Sequence, residues 1–304
     1  MEVLITGGNG FLGSHLIKRL LKDESFSLVL THRDGSSFRR LEGYLRRDRL
    51  KLCNLDRVTI EELFQKHEIK AIIHTATEYG RHNPSPSKIL ETNLILPIKL
   101  IEVGLKHGLE VFLNTDSYFN KENFSYTNLL DYSLSKKSLN IWLRYFSKRV
   151  KVVNLVLEHI FGENDSPDKF AENMIQKIAL QKVPSVDLTF GHQRRDFIYV
   201  EDAVEAYFVA LKYAFENKFR FKTFEVGTGR SLQIARFVEI LKTVSGSPTE
   251  LQFGKIPYRS DEIMDSCADI SELENLGWSP KYTVEAALAK VLSVYLNPTH
   301  KRQS

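Results

Sequence analysis

The sequence is poor in cysteine, lacks long apolar runs and shows no marked excess of either charge. Its two cysteines in 304 residues, Cys53 and Cys267, lie far apart and without metal-ligand spacing. Neither a disulfide framework nor a metal centre is therefore expected, and two small core thiols suit a reducing cytoplasm. No stretch approaches the roughly 20 apolar residues of a spanning helix. The first apolar run, Val3 to Ile5, breaks at once into glycines instead of extending into a signal sequence. A soluble cytoplasmic protein with no membrane span is the expectation. The charge of +4, from 42 basic and 38 acidic side chains, is too slight to argue for nucleic acid and leaves room for an anionic substrate. Internal repeats, low-complexity segments and a Pro/Ser linker are also missing.

What is present is an ordinary globular composition, 42% apolar and 26% charged, in a chain long enough for a two-lobed enzyme. Short β-rich runs alternate with amphipathic stretches through the first half. Glu2–Thr6, Ser27–Thr31, Leu50–Cys53, Ala71–Thr75, Val111–Asn114 and Val152–Leu157 read as strands. Leu12–Leu21, Thr92–Gly104 and Ser133–Phe146 read as helices. Apolar strands in such alternation predict an α/β fold, a doubly wound parallel sheet of Rossmann type with helices on both faces. After Gly162 the texture changes, with helices at Phe170–Leu180, Ala203–Ala214 and Ile234–Val244 and a returning strand at Phe221–Val226. Two short helices in Ile270–Ser293 are divided by Gly277-Trp278-Ser279-Pro280. This predicts a dinucleotide-binding domain over 1–157, rejoined by the chain around 188–226. A smaller C-terminal α/β lobe over 158–304 would take the substrate.

Gly7-Gly8-Asn9-Gly10-Phe11-Leu12-Gly13 sits between the first strand and the first helix. Such a turn needs glycine because the backbone bends tightly and approaches a pyrophosphate closely, while the helix beyond presents free N–H groups and its positive end. The second strand ends Leu30-Thr31-His32-Arg33, with Thr31 where a carboxylate for an NAD ribose is usually found. Arg33 suits the 2′-phosphate of NADP, so NADP(H) is expected and NAD(H) stays open.

Tyr132-Ser133-Leu134-Ser135-Lys136 is the one Y-x-x-x-K in the chain, and a spacing of four places both side chains on one helix face. An ammonium beside a phenol would bring the phenol toward working pH as a proton donor or acceptor. Asn114-Thr115-Asp116-Ser117 ends the fifth strand, at the sheet edge where open α/β folds place ligands. Thr115 is the first choice to hydrogen-bond a substrate oxygen, with Ser117 the alternative.

With these three features assembled, the chain resembles the extended short-chain dehydrogenase/reductases. Within them it is similar to the NAD(P)-dependent sugar-nucleotide epimerases, dehydratases and reductases. Ile72-Ile73-His74-Thr75-Ala76, Asn93, Gln193 to Asp202, Ala268-Asp269-Ile270 and Leu276-Gly277-Trp278 extend the likeness over nearly the whole length. The resemblance implies a dinucleotide held by Gly7, Gly10, Phe11, Leu12, Arg33, Asn54, Leu55, Thr75, Ala76 and Lys136. It implies catalysis by Tyr132, Lys136 and Thr115. It implies a nucleotide sugar bound by Thr77, Arg81, His82, Asp116, Ser117, Tyr132, His159, Arg195, Arg259 and Glu262. In that set Arg195 would meet the diphosphate, while Arg259 and Glu262 would hold phosphate and ribose. A homodimer through the helices of Thr92–Gly104 and Ser133–Phe146 is implied too.

Two departures narrow the activity. Dehydratases of this group follow Thr-Asp with a glutamate base, where this chain has Ser117. His159 stands where an asparagine is common, which fits either an altered sugar pocket or a core histidine. Tyr79-Gly80-Arg81-His82-Asn83, Leu157-Glu158-His159 and Cys267-Ala268-Asp269-Ile270 look like the 4-ketohexose reductases that make CDP-linked paratose and abequose. The expectation is therefore NADPH-dependent reduction of a CDP-linked 4-keto-deoxyhexose at C4. An NAD-dependent 4-epimerase is the first alternative and a non-catalytic dinucleotide sensor the second.

Overall fold

The computed structural model describes residues 1–81, 84–121 and 129–296. His82, expected at the substrate, lies outside the described residues. The first half runs β1 (Glu2–Thr6), α1 (Phe11–Leu20), β2 (Ser27–His32), β3 (Leu50–Asn54), α2 (Ile60–Lys66) and β4 (Ile69–His74). It continues through α3 (Pro86–Leu90), a π-helical turn at Glu91–Ile95, α4 (Leu96–Lys106), β5 (Val111–Ser117), α5 (Leu130–Phe146) and β6 (Lys151–Leu157). Then come β7 (His159–Phe161), α6 (Phe170–Met174), β8 (Ser185–Asp187), β9 (Arg194–Arg195), β10 (Phe197–Tyr199) and α7 (Val200–Glu216). The chain closes with β11 (Phe221–Val226), β12 (Leu232–Gln233), α8 (Ile234–Ser245), β13 (Glu250–Gln252), β14 (Asp265–Ser266), α9 (Ser271–Glu274) and α10 (Val284–Leu296).

The chain folds as two compact units, one of Met1–Leu157 with Val204–Phe224, the other of Glu158–Ala203 with Glu225–Ser304. The first unit is built on a seven-stranded sheet in the order β11-β6-β5-β4-β1-β2-β3. Strands β1 to β6 pair in parallel throughout. Parallel strands covered on both faces must be apolar on both. That is why Val3, Leu4 and Ile5 are consecutively buried, as are Ala71, Ile72 and Ile73, and Val111, Phe112 and Leu113. From β1 the chain builds outward to β2 and β3, then returns to β4 on the other side. The switch point of the sheet thus lies between the carboxyl ends of β1 and β4, where such folds bind ligands.

Two helical features depart from the periodicity reading. The helix expected from Thr92 begins at Pro86 and carries the π turn at Glu91–Ile95. Helix α2 had no strong apolar stripe to announce it. A capping box starts it, with Thr59 Oγ1 accepting from Glu62 N and the Glu62 carboxylate accepting from Thr59 N. Among the described residues no helix is long and apolar enough to cross a membrane.

The second unit has small sheets, β7 with β10, β9 between β12 and β14, and β8 with β13. Its core is aromatic, the rings of Phe197 and Phe237 stacking at 4.1 Å with Phe161 edge-on to both. Asp196, fully buried, is a polar hub of this unit. Its carboxylate accepts from Thr228 N, Thr228 Oγ1, Gly229 N and Ala268 N at 2.6–3.2 Å. A Cβ on Gly227 would stand 2.4 Å from that carboxylate, so only glycine fits there. Trp278 Nε1 donates to the Asp202 carbonyl and Tyr282 N to the Asp202 carboxylate. The Arg195–Asp202 and Gly277–Trp278 segments are thus bound to one another as structure.

Candidate active site

The glycine turn closes the end of β1 with Gly10 N donating to the Gly7 carbonyl at 2.9 Å. Gly7 has φ +67°, and a Cβ there would fall 2.6 Å from Ala76 N; one on Gly13 would fall 2.4 Å from the Gly7 carbonyl. The backbone of β1, the turn and the β4 loop therefore approach as only glycine permits. Helix α1 begins at Gly10 with no side-chain cap and no acidic residue in its first turn. Uncapped N–H groups at a positive helix end fit a pyrophosphate. Phe11 is buried and Leu12 half-buried behind them. Across the switch point, Thr75 Oγ1 donates to the Thr6 carbonyl and Ala76 N to Thr6 Oγ1. Thr77 follows them in the β4 loop, half-buried. The residues expected at a dinucleotide thus meet at one edge of the sheet.

A groove of about 520 Å³ brings Arg33 and Leu55, both expected at the dinucleotide, together with the start of α2 and one face of α4. Among its lining residues are the carboxylates Asp56, Glu91 and Glu102 against the cations Arg33 and Lys99. Arg33 is exposed, and beside it the Asp34 carboxylate accepts from Asn54 Nδ2 at 2.7 Å and pairs with Arg57 at 3.0 Å. Both signs of charge line this edge, so Arg33 is not an unopposed cation there.

Tyr132 and Lys136 occupy successive turns of α5, both buried. The phenol is hydrogen-bonded with the Ser117 side chain and stacks on Tyr79 at 5.0 Å. Lys136 Nζ donates to the Thr115 carbonyl at 2.8 Å. Burial and then the neighbouring Tyr79 push the Tyr132 phenol well above its ordinary range, opposite to the lowering expected from the lysine. Burial also brings the Lys136 ammonium down to about 8, against the pull of the Asp116 carboxylate, which raises it. In this arrangement the phenol is protonated and the lysine is a cation close to neutrality.

Asp116 points into a cage of amides: Asn120 Nδ2 donates to it at 2.7 Å, Asn154 Nδ2 at 2.9 Å and the Ser117 amide at 2.9 Å. Asn114 Nδ2 in turn holds Asn154 Oδ1. These bonds hold the Asp116 carboxylate, expected at the sugar, among amides beside Thr115 and Ser117. Asn93 sits buried in the π turn, accepting from Glu78 N and donating to both the Glu78 carbonyl and Ser135 Oγ at 2.8–2.9 Å. It ties the loop that carries Tyr79 to the helix that carries Tyr132. Arg81 lies 5.6 Å over the Tyr79 ring.

Of the expected sugar-nucleotide contacts, Arg195, His159, Arg259 and Glu262 belong to the second unit. Arg195 is buried, with Nη2 on Glu262 Oε1 at 2.5 Å and Nη1 on the carbonyls of Ile263 and Arg194. His159 packs edge-on to Phe197, and burial, then the Arg195 and Lys169 charges, lower it to about 3, so it is neutral. Arg259 is exposed near Glu262, whose amide donates to the Arg259 carbonyl. Sequence reasoning missed Tyr207, which bonds Thr115, and Phe190, an exposed ring stacked on His192 and adjoining Tyr258. A tyrosine at helical spacing carries no signal apart from core, and a lone phenylalanine in a loop carries none at all.

The profile of the NAD dependent epimerase/dehydratase family matches residues 3–227, and the chain belongs to that family. It is thereby an NAD-dependent oxidoreductase with a Rossmann fold. It is 33% identical over 297 residues to the CDP-abequose synthase of Salmonella muenchen, covering 96% of this chain and 97% of that one. In fold it is similar to the UDP-glucose-4-epimerase of Stenotrophomonas maltophila with bound NAD and formylated UDP-arabinopyranose (TM-score 0.84, 21% identity, 99% of each chain). It is also similar to the UDP-glucuronic acid 4-epimerase of Bacillus cereus with UDP-glucuronic acid and NAD (TM-score 0.81, 22% identity, 98% of this chain and 100% of that one).

Two expectations are corrected by these findings. NADP(H) gives way to NAD(H): the family is NAD dependent and both of those complexes hold NAD. The NADPH-dependent reduction of a 4-keto sugar falls with it, and the findings favour the first alternative, an NAD-dependent 4-epimerase.

Proposed function

We propose that the protein is an NAD-dependent epimerase that inverts C4 of a hexose carried on a pyrimidine nucleoside diphosphate. The observation that carries this is the buried Tyr132/Lys136 pair, joined to Ser117 and Thr115 beside the glycine turn at one switch point. The bound dinucleotide supplies hydride acceptance and return. Tyr132 exchanges the proton of the C4 oxygen, and Thr115 hydrogen-bonds that oxygen. Lys136 lends positive charge that favours the phenolate when the proton leaves. Ser117 in place of a glutamate argues against water elimination as the outcome.

The nucleotide reading is supported by relatives and structural neighbours named for CDP- and UDP-sugars. In the second unit, Phe190 with His192 and Tyr258 is suited to stack a base. Arg195 and Arg259 are the cations we assign to the diphosphate. We further assign a homodimer to the apolar stripe of α5, where Leu134, Ile141, Trp142 and Tyr145 are exposed.

The test is incubation of the purified protein with UDP-glucose, UDP-galactose and CDP-glucose plus catalytic NAD, following C4 configuration by NMR. The expected result is interconversion of C4 epimers with no net change in reduced dinucleotide. Stoichiometric consumption of a reduced dinucleotide, or release of water from the sugar, would overturn the assignment.

A further inference from the structure

Thr115 is held from two sides. Its carbonyl accepts from Lys136 Nζ at 2.8 Å, and its hydroxyl oxygen accepts from the Tyr207 phenol at 2.7 Å. Tyr207 lies on α7, in the same unit as β5, 92 residues away in sequence and fully buried. We propose that Tyr207 is a positioning residue that fills an acceptor site of Thr115 Oγ1 and so commits the threonine proton to the substrate oxygen. This rests on the epimerase reading, in which Thr115 bonds the C4 oxygen.

A threonine hydroxyl has one proton and two acceptor sites, and its proton turns toward whichever acceptor is available. Between two hydroxyls the direction of donation is decided by what each would be left without. If Thr115 donated to Tyr207, the phenol proton would need another acceptor, and among the described residues Tyr207 has no hydrogen-bond partner but Thr115. A buried O–H with no acceptor is costly. With Tyr207 as donor the phenol is satisfied and only the threonine proton remains, facing the site where a polar oxygen binds. Burial, with Tyr79 and Asp116 adding to it, keeps the Tyr207 phenol protonated, so the donor does not titrate away in the working range. Packing alone does not account for the hydroxyl, since phenylalanine has the same ring without a polar atom to bury. The Lys136 bond fixes the Thr115 backbone while Tyr207 fixes its side chain, and the two act on different atoms of one residue.

The test is a double-mutant cycle of Tyr207→Phe and Thr115→Val, read in steady-state kinetics of C4 inversion. Tyr207→Phe is expected to lower kcat about tenfold, with KM changed by less than about twofold and the pH profile unmoved. Added to Thr115→Val, which has already lost the hydroxyl, it should cost nothing further. Wild-type or raised kcat in Tyr207→Phe would mean that Thr115 donates to Tyr207 and would overturn the proposal. So would a loss that simply multiplies with that of Thr115→Val, because Tyr207 would then act independently of the threonine. Tyr207→Met removes the same hydroxyl with a different shape and serves if the phenylalanine variant folds poorly. A wild-type protein that binds UDP-glucose without turning it over defeats the epimerase reading alone. In that event calorimetric affinity for UDP-glucose tests Tyr207: a loss in Tyr207→Phe that disappears in the Thr115→Val background upholds the orientation, and no such loss rejects it.

Discussion

Lys136 keeps its ammonium where water scarcely reaches, 1% exposed, and the only carboxylate that raises its pKa is the caged Asp116. Its folded value, about 8, lies below the ordinary lysine value of 10.5. The unfolded chain therefore binds the proton more tightly, and this residue opposes folding below pH 8; the penalty fades as pH rises from about 8 toward 10.5. For activity the sign is the reverse, since the charge is wanted, and kcat/KM should fall as pH passes upward through about 8. Asp116→Asn keeps the side-chain shape but removes the anion that holds the lysine up. Its alkaline limb should move to lower pH in a kcat/KM profile, and a limb that stays in place would show that Asp116 has no electrostatic part. Tyr132→Phe should lower turnover by about 10²–10⁴ while leaving NAD affinity intact; near-normal turnover would remove the phenol from the mechanism.

Helix α2 makes the clearest case at the scale of elements, because its local signal is chemical where those of its neighbours are periodic. Thr59 and Glu62 satisfy each other's backbone N–H groups at its first turn. Thr59→Ala should cost about 1 kcal/mol in denaturant unfolding with the slope unchanged, and an unchanged midpoint would count against the cap. The parallel strands were legible because burial on both faces forces continuous apolar runs, and the glycine turn because backbone approach admits no side chain. Tyr132 and Lys136 were legible because one helical turn joins them. Tyr207 was not, as a residue on α7 reaches Thr115 only through tertiary packing. Nor was the caging of Asp116, which gathers asparagines from β6 and from the turn after β5. Arg33 misled because a basic residue after a strand shows its charge in the sequence, while the carboxylates beside it come from α3–α4 and the loop after β3.

At the scale of the whole molecule, Leu134, Ile141, Trp142 and Tyr145 form an exposed stripe among the described residues, Ile141 being 71% exposed. Ile141→Arg should leave the fold of the single chain unharmed, since the side chain already faces outward, and should shift the protein from dimer to monomer in sedimentation velocity. A sedimentation coefficient identical to that of the wild type would place the contact elsewhere. A monomeric wild type would dismiss the dimer.

The π turn at Glu91–Ile95 has a consequence for how this chain tolerates change in length. Such a turn is one residue wider than an α turn, and here that surplus residue lets Asn93 face inward between the Tyr79 loop and α5. Removing one residue between Glu91 and Ile95 would restore ordinary helical winding with the flanking turns left in register, but it would take away the wide turn that faces Asn93 inward. The deletion would leave a smoother helix, with the amide that joins loop to catalytic helix swung out of reach. A more regular molecule would thus be the less able one.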